Sequence, residues 1–126
     1  MRKLILLISH DPHSRAILRR ALEAEGFSVG EAANSKEGER TIRRVQPDAS
    51  IADLQMEIVE LGEPIIERLR AAGARSLLYL ATTGTEALSG EFNLHHLGVT
   101  GVFLKPVDAA IVTQTLKSAL SANDRT

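Results

Sequence analysis

The chain has 126 residues, with 15 Lys and Arg against 16 Asp and Glu and a formal net charge of -1. That length suits one domain with a single buried core, and the even charge balance excludes both a nucleic-acid module working by bulk positive charge and an acidic disordered tail. There is no Cys, which excludes disulfides, thiolate metal sites and Cys nucleophiles. No stretch approaches the roughly 18 apolar residues of a membrane span, so a cytoplasmic domain is expected.

Leu4-Ile5-Leu6-Leu7-Ile8 is an unbroken apolar run, the pattern of a strand buried on both faces. It is short for a secretion signal and lacks a small-residue cleavage site. Asp11-Pro12 then starts a helix, with Asp as N-cap and Pro at its first position; Ile17, Leu18, Ala21 and Leu22 form its apolar stripe and Gly26 ends it. A short strand is predicted over 27–32. Asn34 and Glu37 have capping-box spacing, which starts a helix over Ser35–Val45 with Ile42 and Val45 inward. Gln46-Pro47-Asp48 is a turn, and the strand 49–54 carries Asp53 near its end. A loop over 55–62 leads to a helix opened by Pro64, with Ile65, Ile66 and Leu69 inward, which ends near Gly73. The run 77–81 is another buried strand, followed by the polar loop Thr82-Thr83-Gly84-Thr85 and a helix over 86–97 that contains Gly90. The last strand is predicted over 101–104. Lys105-Pro106 turns the chain, Asp108 caps, and Ile111, Val112, Leu116, Ala119 and Leu120 mark an amphipathic final helix. Residues 1–126 read as one domain, with 121–126 a frayed tail or the start of a linker.

Buried strands alternating with helices imply an α/β fold: a parallel sheet covered on both faces by five helices. Right-handed crossovers make it doubly wound and flavodoxin-like, with five strands in the order 2-1-3-4-5 and a site outside the carboxyl ends of strands one and three. That rule brings together Ser9-His10-Asp11, Asp53, Ala81-Thr82-Thr83 and Lys105. A strand-end Asp can simply cap a neighbouring turn. In this company it can also be a nucleophile that forms an acyl phosphate, with Lys105 neutralising the phosphoryl oxygens and Thr82 or Thr83 donating to them.

With those residues in place, the chain resembles a receiver domain of two-component response regulators over about residues 3–120. The resemblance rests on Ser9-His10-Asp11-Pro12 after the first strand, Pro47-Asp48, Asp53-Leu54-Gln55-Met56, a hydroxyl at the end of strand four, Gly98 and Lys105-Pro106. It implies a signalling domain and not an enzyme, with Asp53 as phosphoacceptor and Lys105 as the phosphate-binding Lys. The hydroxyl that follows the phosphoryl group is implied at Thr83, or at Thr82 if the loop is one residue shorter. The Lys105-Pro106 bond is implied to be cis. The implied donor is a histidine kinase or phosphotransfer protein. An output domain, an effector or a second copy in a homodimer would meet the face of the fourth helix, fifth strand and fifth helix, which includes Phe92, Leu94 and Val102. Neither direct nucleic-acid contact nor membrane contact is implied.

The receiver pattern has two adjacent acids after strand one that hold Mg²⁺; here those positions are Ser9 and His10, so the resemblance is to an atypical member. Mg²⁺ needs hard oxygen ligands. The remaining candidates are Asp53, a carbonyl at Gln55, Asp11 and His10, which make a weak or absent site. Glu57 stands where a Pro is usual, and Val102 takes the place of the aromatic switch residue, with Phe103 adjacent. His10 can be a plain strand-end residue, a pH-sensitive cation in place of the metal's charge, or a transition-metal ligand with Asp11 or His13. His95-His96 point to different sides of a helix and read as surface or packing residues. The alternative function is a degenerate pseudo-receiver that binds partners without phosphorylation. A small flavodoxin-like enzyme or nucleotide binder is a third class, but no glycine-rich phosphate loop follows strand one.

Overall fold

The strand β1 (Leu4–Ser9) sends Ile5 and Leu7 to one side of the sheet and Leu6 and Ile8 to the other, and this alternation divides the core in two. The computed structural model describes residues 2–53, 63–73, 75–82 and 99–124. After β1 come α1 (Pro12–Ala24), β2 (Ser28–Ala32), α2 (Ser35–Val45), β3 (Ala49–Asp53), α3 (Glu63–Ala72), β4 (Leu77–Thr82), β5 (Gly101–Leu104) and α4 (Ala109–Asp124). All the strands are parallel, in the order β2-β1-β3-β4-β5. This is the doubly wound, flavodoxin-like sheet expected from the pattern. The helix predicted over 86–97 lies outside the described residues.

One core layer packs Leu6, Ile8, Ala52 and Leu80 against Ile42 of α2 and Ile66 and Leu69 of α3. The opposite layer packs Ile5, Leu7, Ile51, Tyr79 and Phe103 against Leu22 of α1 and Val112, Leu116 and Leu120 of α4. Each fully buried large side chain contributes about 1.5–3 kcal/mol of transfer free energy, so the paired layers hold the strands in register. Tyr79 and Phe103 stack with ring centroids 5.2 Å apart.

The helix ends follow the sequence signals. Asp11 accepts from the His13 N–H at 3.0 Å with Pro12 beginning the helix, and Asn34 accepts from the Glu37 N–H at 2.9 Å. Gly26 takes φ of +93° just past α1, a backbone conformation open to glycine. After α2 the left-handed position falls to Gln46, whose φ is 49° and whose side-chain amide donates to the Ile42 carbonyl at 3.0 Å. Asp108 caps α4 by accepting from the Ala110 N–H at 2.8 Å.

Three inward assignments are corrected. Ile17, Val45 and Ile111 are 49%, 39% and 58% exposed. Each flanks an apolar stripe whose centre is taken by a neighbour. In α4, Val112, Leu116 and Leu120 recur every four residues, and Ile111 is turned about 100° from Val112. The last helix runs through Asp124, past Leu120, so it takes in most of the polar segment at which a frayed tail is expected.

Gly38 sets how closely α2 approaches the sheet. A Cβ there would lie 2.6 Å from Ile8 Cδ1 and 3.0 Å from its Cγ1, and Ile8 is buried. Gly38→Ala gains about 1 kcal/mol of helix propensity, but the overpacking costs about 1–3 kcal/mol. A lower urea midpoint at unchanged slope is expected; a raised midpoint would mean that α2 can lift away freely.

Candidate functional site

The ends of β1 and β3 are paired, with Ser9 opposite Asp53. By strand alternation both side chains leave the sheet on the side of α1 and α4, in line with Leu7 and Ile51. Asp53 ends its strand with its side chain only 16% exposed. Lys105 arrives from the neighbouring edge. Its N–H donates to the Thr82 carbonyl at 2.8 Å, and the Lys105-Pro106 bond that follows is cis. The ammonium Nζ then lies 2.6 Å from Asp53 Oδ1. Among the described residues no donor meets that buried oxygen with hydrogen-bond directionality, so the contact holds the carboxylate by charge.

The pair stands in a cavity of about 410 Å³ whose walls include Ser9, His10, Asp11, Arg15, Asp53, Ala81 and Lys105. Its lining also takes in the apolar Ile17 and Leu18 of α1 with Pro106 and Val107.

Ser9 is buried, and its Oγ accepts from the Asp11 N–H at 3.1 Å. His10 is exposed on the cavity wall. Asp11 is committed to the start of α1: one oxygen takes the His13 N–H and the other accepts from Ser14 Oγ at 2.7 Å. Ala81 lines the cavity, so alternation sends the Thr82 side chain off the opposite sheet face, where it is buried. Of the two hydroxyls expected near Lys105, Thr82 is therefore not brought into the crevice. Thr83 and Gln55 lie outside the described residues, as do Phe92, Leu94 and His95-His96. Among the described residues no three His, Asp or Glu side chains gather as a metal cluster, and no helix is long and apolar enough to cross a membrane.

Arg15 was not foreseen from the sequence. Its Nη1 donates to the Ser9 carbonyl and its Nε pairs with Glu31 at 3.0 Å, and it lines the same cavity as Lys105. The available signal was its place in the first turn of α1, because helix side chains lean toward the N-terminus and so over the end of β1. Glu31 also receives Arg19 at 2.6 Å. Arg19, then Arg15, hold the Glu31 carboxyl below its ordinary range, and the Ser14 hydroxyl and the His13 N–H do the same for Asp11. A carboxyl with a lowered folded-state pKa contributes stability above its unfolded pKa and loses it as pH falls through the folded value. Denaturant midpoints are therefore expected to drop as pH falls below the ordinary carboxylate range of about 4. Arg19→Ala should flatten that acid limb, and an unchanged limb would remove the Glu31 assignment.

The arrangement is a strand-end carboxylate facing an ammonium in an open cleft. Phe103, next to the position where an aromatic switch residue was expected, is 8% exposed and stacked on Tyr79 in the layer under α1 and α4. It is packed as a core residue. Val102 holds the expected switch position and is partly buried.

The comparisons with known proteins agree with this geometry. The family described as response regulator receiver domain matches residues 5–117. The transcriptional regulatory protein GlrR of Escherichia coli K12 is 28% identical over 116 residues, which is 92% of this chain and 26% of GlrR. The probable C4-dicarboxylate response regulator DctR of Priestia megaterium is 29% identical over 115 residues, 90% of this chain and 50% of DctR. The chain thus spans a quarter to a half of the curated relatives it matches. Among solved structures, a CheY-like response regulator receiver domain protein from Methanospirillum hungatei superimposes with a TM-score of 0.81 at 20% identity, covering 99% of this chain and 98% of that one. With its strand order, its strand-end carboxylate and its match over residues 5–117, this chain belongs to the response regulator receiver domain family.

Proposed function

We propose that this receiver takes a phosphoryl group on Asp53 from a histidine kinase or phosphotransfer protein and passes the change to a partner-binding surface. The observation that carries the proposal is the 2.6 Å approach of Lys105 Nζ to Asp53 Oδ1 inside a cleft open to a donor. In the transfer an Asp53 oxygen attacks phosphorus, the P–N bond of a phosphohistidine breaks, and the departing imidazole keeps the electron pair and takes up a proton. The product on this chain is an acyl phosphate. Lys105 lies where it can neutralise the phosphoryl oxygens. The exposed apolar lining residues Ile17 and Pro106 offer a surface against which a donor protein can rest. Thr83 is the hydroxyl we assign to the phosphoryl group.

The name of GlrR, a transcriptional regulatory protein, favours an output in transcriptional regulation, which would come from a separate output domain or an effector protein. A cytoplasmic location fits that chemistry, as does a single domain over residues 1–126. Incubation of the chain with a phosphohistidine donor protein or acetyl phosphate tests the reading. Intact-mass analysis should find one added phosphoryl group, labile to hydroxylamine as acyl phosphates are. No adduct from any competent donor would overturn it.

A second reading has its own support. Phe103 is locked in the core and Val102 is aliphatic, so an aromatic flip has no residue to perform it. A phosphorylation-independent interaction module fits those two positions. It requires Asp53→Ala to leave partner affinity unchanged in a folded protein.

A further inference from the structure

Receiver domains generally hold Mg²⁺ through acidic residues at this crevice, and the donors of this chain do not suit that ion. We infer that the Asp53 crevice balances its charge with the chain's own Lys105 and recruits no Mg²⁺-like hard divalent cation in the millimolar range.

The inference starts from the ligands. Mg²⁺ takes hard oxygen donors in near-octahedral geometry, and its affinity depends on carboxylate charge. Beside Asp53 the paired strand end supplies Ser9, a neutral hydroxyl already accepting from the Asp11 N–H at 3.1 Å. His10 supplies an imidazole nitrogen, a donor that suits transition metals better than Mg²⁺. Asp11 has the right chemistry, but its two oxygens are taken by the His13 N–H and Ser14 Oγ at the start of α1. Among the described residues Asp53 is thus the one carboxylate free to face the cleft, and Lys105 already lies 2.6 Å from its Oδ1.

The second strand of the argument is repulsion. Arg15 stands on the same cavity wall as Ser9, held by the Ser9 carbonyl and Glu31. A divalent ion would have to displace the Lys105 ammonium, approach the Arg15 guanidinium and accept a single anionic ligand. The carboxylates that repay such a charge elsewhere in the family are here a hydroxyl and an imidazole, so the exchange is unfavourable.

This inference does not rest on Asp53 being phosphorylated, because an ion titration needs no phosphodonor. The full chain, labelled with ¹⁵N, is titrated with Mn²⁺ through the millimolar range while amide resonances of Ser9, Asp53 and Lys105 are followed for paramagnetic broadening. The parent chain should show no saturable broadening centred on these residues. The Ser9→Asp/His10→Asp double variant should acquire it, and a further Asp53→Asn should abolish the gain. Saturable broadening in the parent that Asp53→Asn removes would overturn the inference. A folded double variant that stays silent overturns the assignment of the missing charge to Ser9 and His10. Should the double variant fail to fold, Ser9→Asp alone, which sits opposite Asp53 in the register, is read in the same way.

Discussion

Asp53→Asn is expected to take up no phosphoryl group under conditions in which the parent chain takes up one. The substitution keeps the volume of the side chain and its place at the end of β3, so core packing around Ile51 and Ala52 is preserved. On the proposed function it removes the anionic oxygen that would attack phosphorus, since an amide oxygen is a poor nucleophile and offers no acyl phosphate product. The effect on transfer should therefore be complete, while the effect on stability should be small. Asp53 and Lys105 are 16% and 25% exposed in their side chains, between a surface pair and a buried one. Loss of their charge attraction then costs about 1–2 kcal/mol. Intact-mass spectra and hydroxylamine lability read the first quantity, and urea denaturation reads the second. An Asn variant that still gains a hydroxylamine-labile phosphoryl group would place the acceptor on another carboxylate, and among the described residues Asp11 also lines the cavity.

Asp53 and Lys105 were legible because a topological rule converts sequence position into proximity. Once apolar runs alternate with helices, the carboxyl ends of strands one, three, four and five must share an edge, and the residues just past each run fall together. The cap residues were legible for a similar reason: Asp11, Asn34 and Asp108 act within their own turns, so spacing of two or three residues determines the contact. The parts that were missed depend on direction and neighbours. Arg15 reaches the crevice by leaning back over its own helix start, and its partners Ser9 and Glu31 come from two different strands. Ile17, Val45 and Ile111 are apolar and near the right phase, but their place at the flank of a stripe is decided by what packs beside them. A period of two puts Thr82 on the face opposite Ala81, which would set it aside. That step required knowing that Ala81 faces the site, which the strand's uniformly apolar run conceals. The same limit held for Phe103, whose place in the lower layer emerges from its stacking on Tyr79.

Lys105→Met is expected to slow phosphoryl transfer to Asp53 by about 10²- to 10³-fold, the usual cost of removing one preorganised charge partner from a reacting oxygen. Methionine keeps much of the aliphatic stem, so the wall it forms with Pro106 and Val107 remains, and the change is mainly in charge. Two consequences then separate. In the resting protein, Asp53 becomes a mostly buried carboxylate without its 2.6 Å ammonium, which should lower stability by about 1–3 kcal/mol. During transfer, three phosphoryl oxygens would enter a cleft in which, among the described lining residues, the other Lys or Arg is Arg15, tied to Glu31 at 3.0 Å and to the Ser9 carbonyl. Lys105→Arg tests geometry against charge, because a guanidinium restores the positive sign but presents a planar fork in place of a compact point charge. It should recover most of the stability and only part of the rate. The decisive comparison is between the two readouts. A Met variant that loses stability but transfers at the parent rate would make Lys105 a purely structural counter-charge. A Met variant that loses rate, with Arg rescuing stability more than rate, assigns the ammonium to the phosphoryl group itself, because only a group that meets the transferred oxygens can move the second quantity independently of the first.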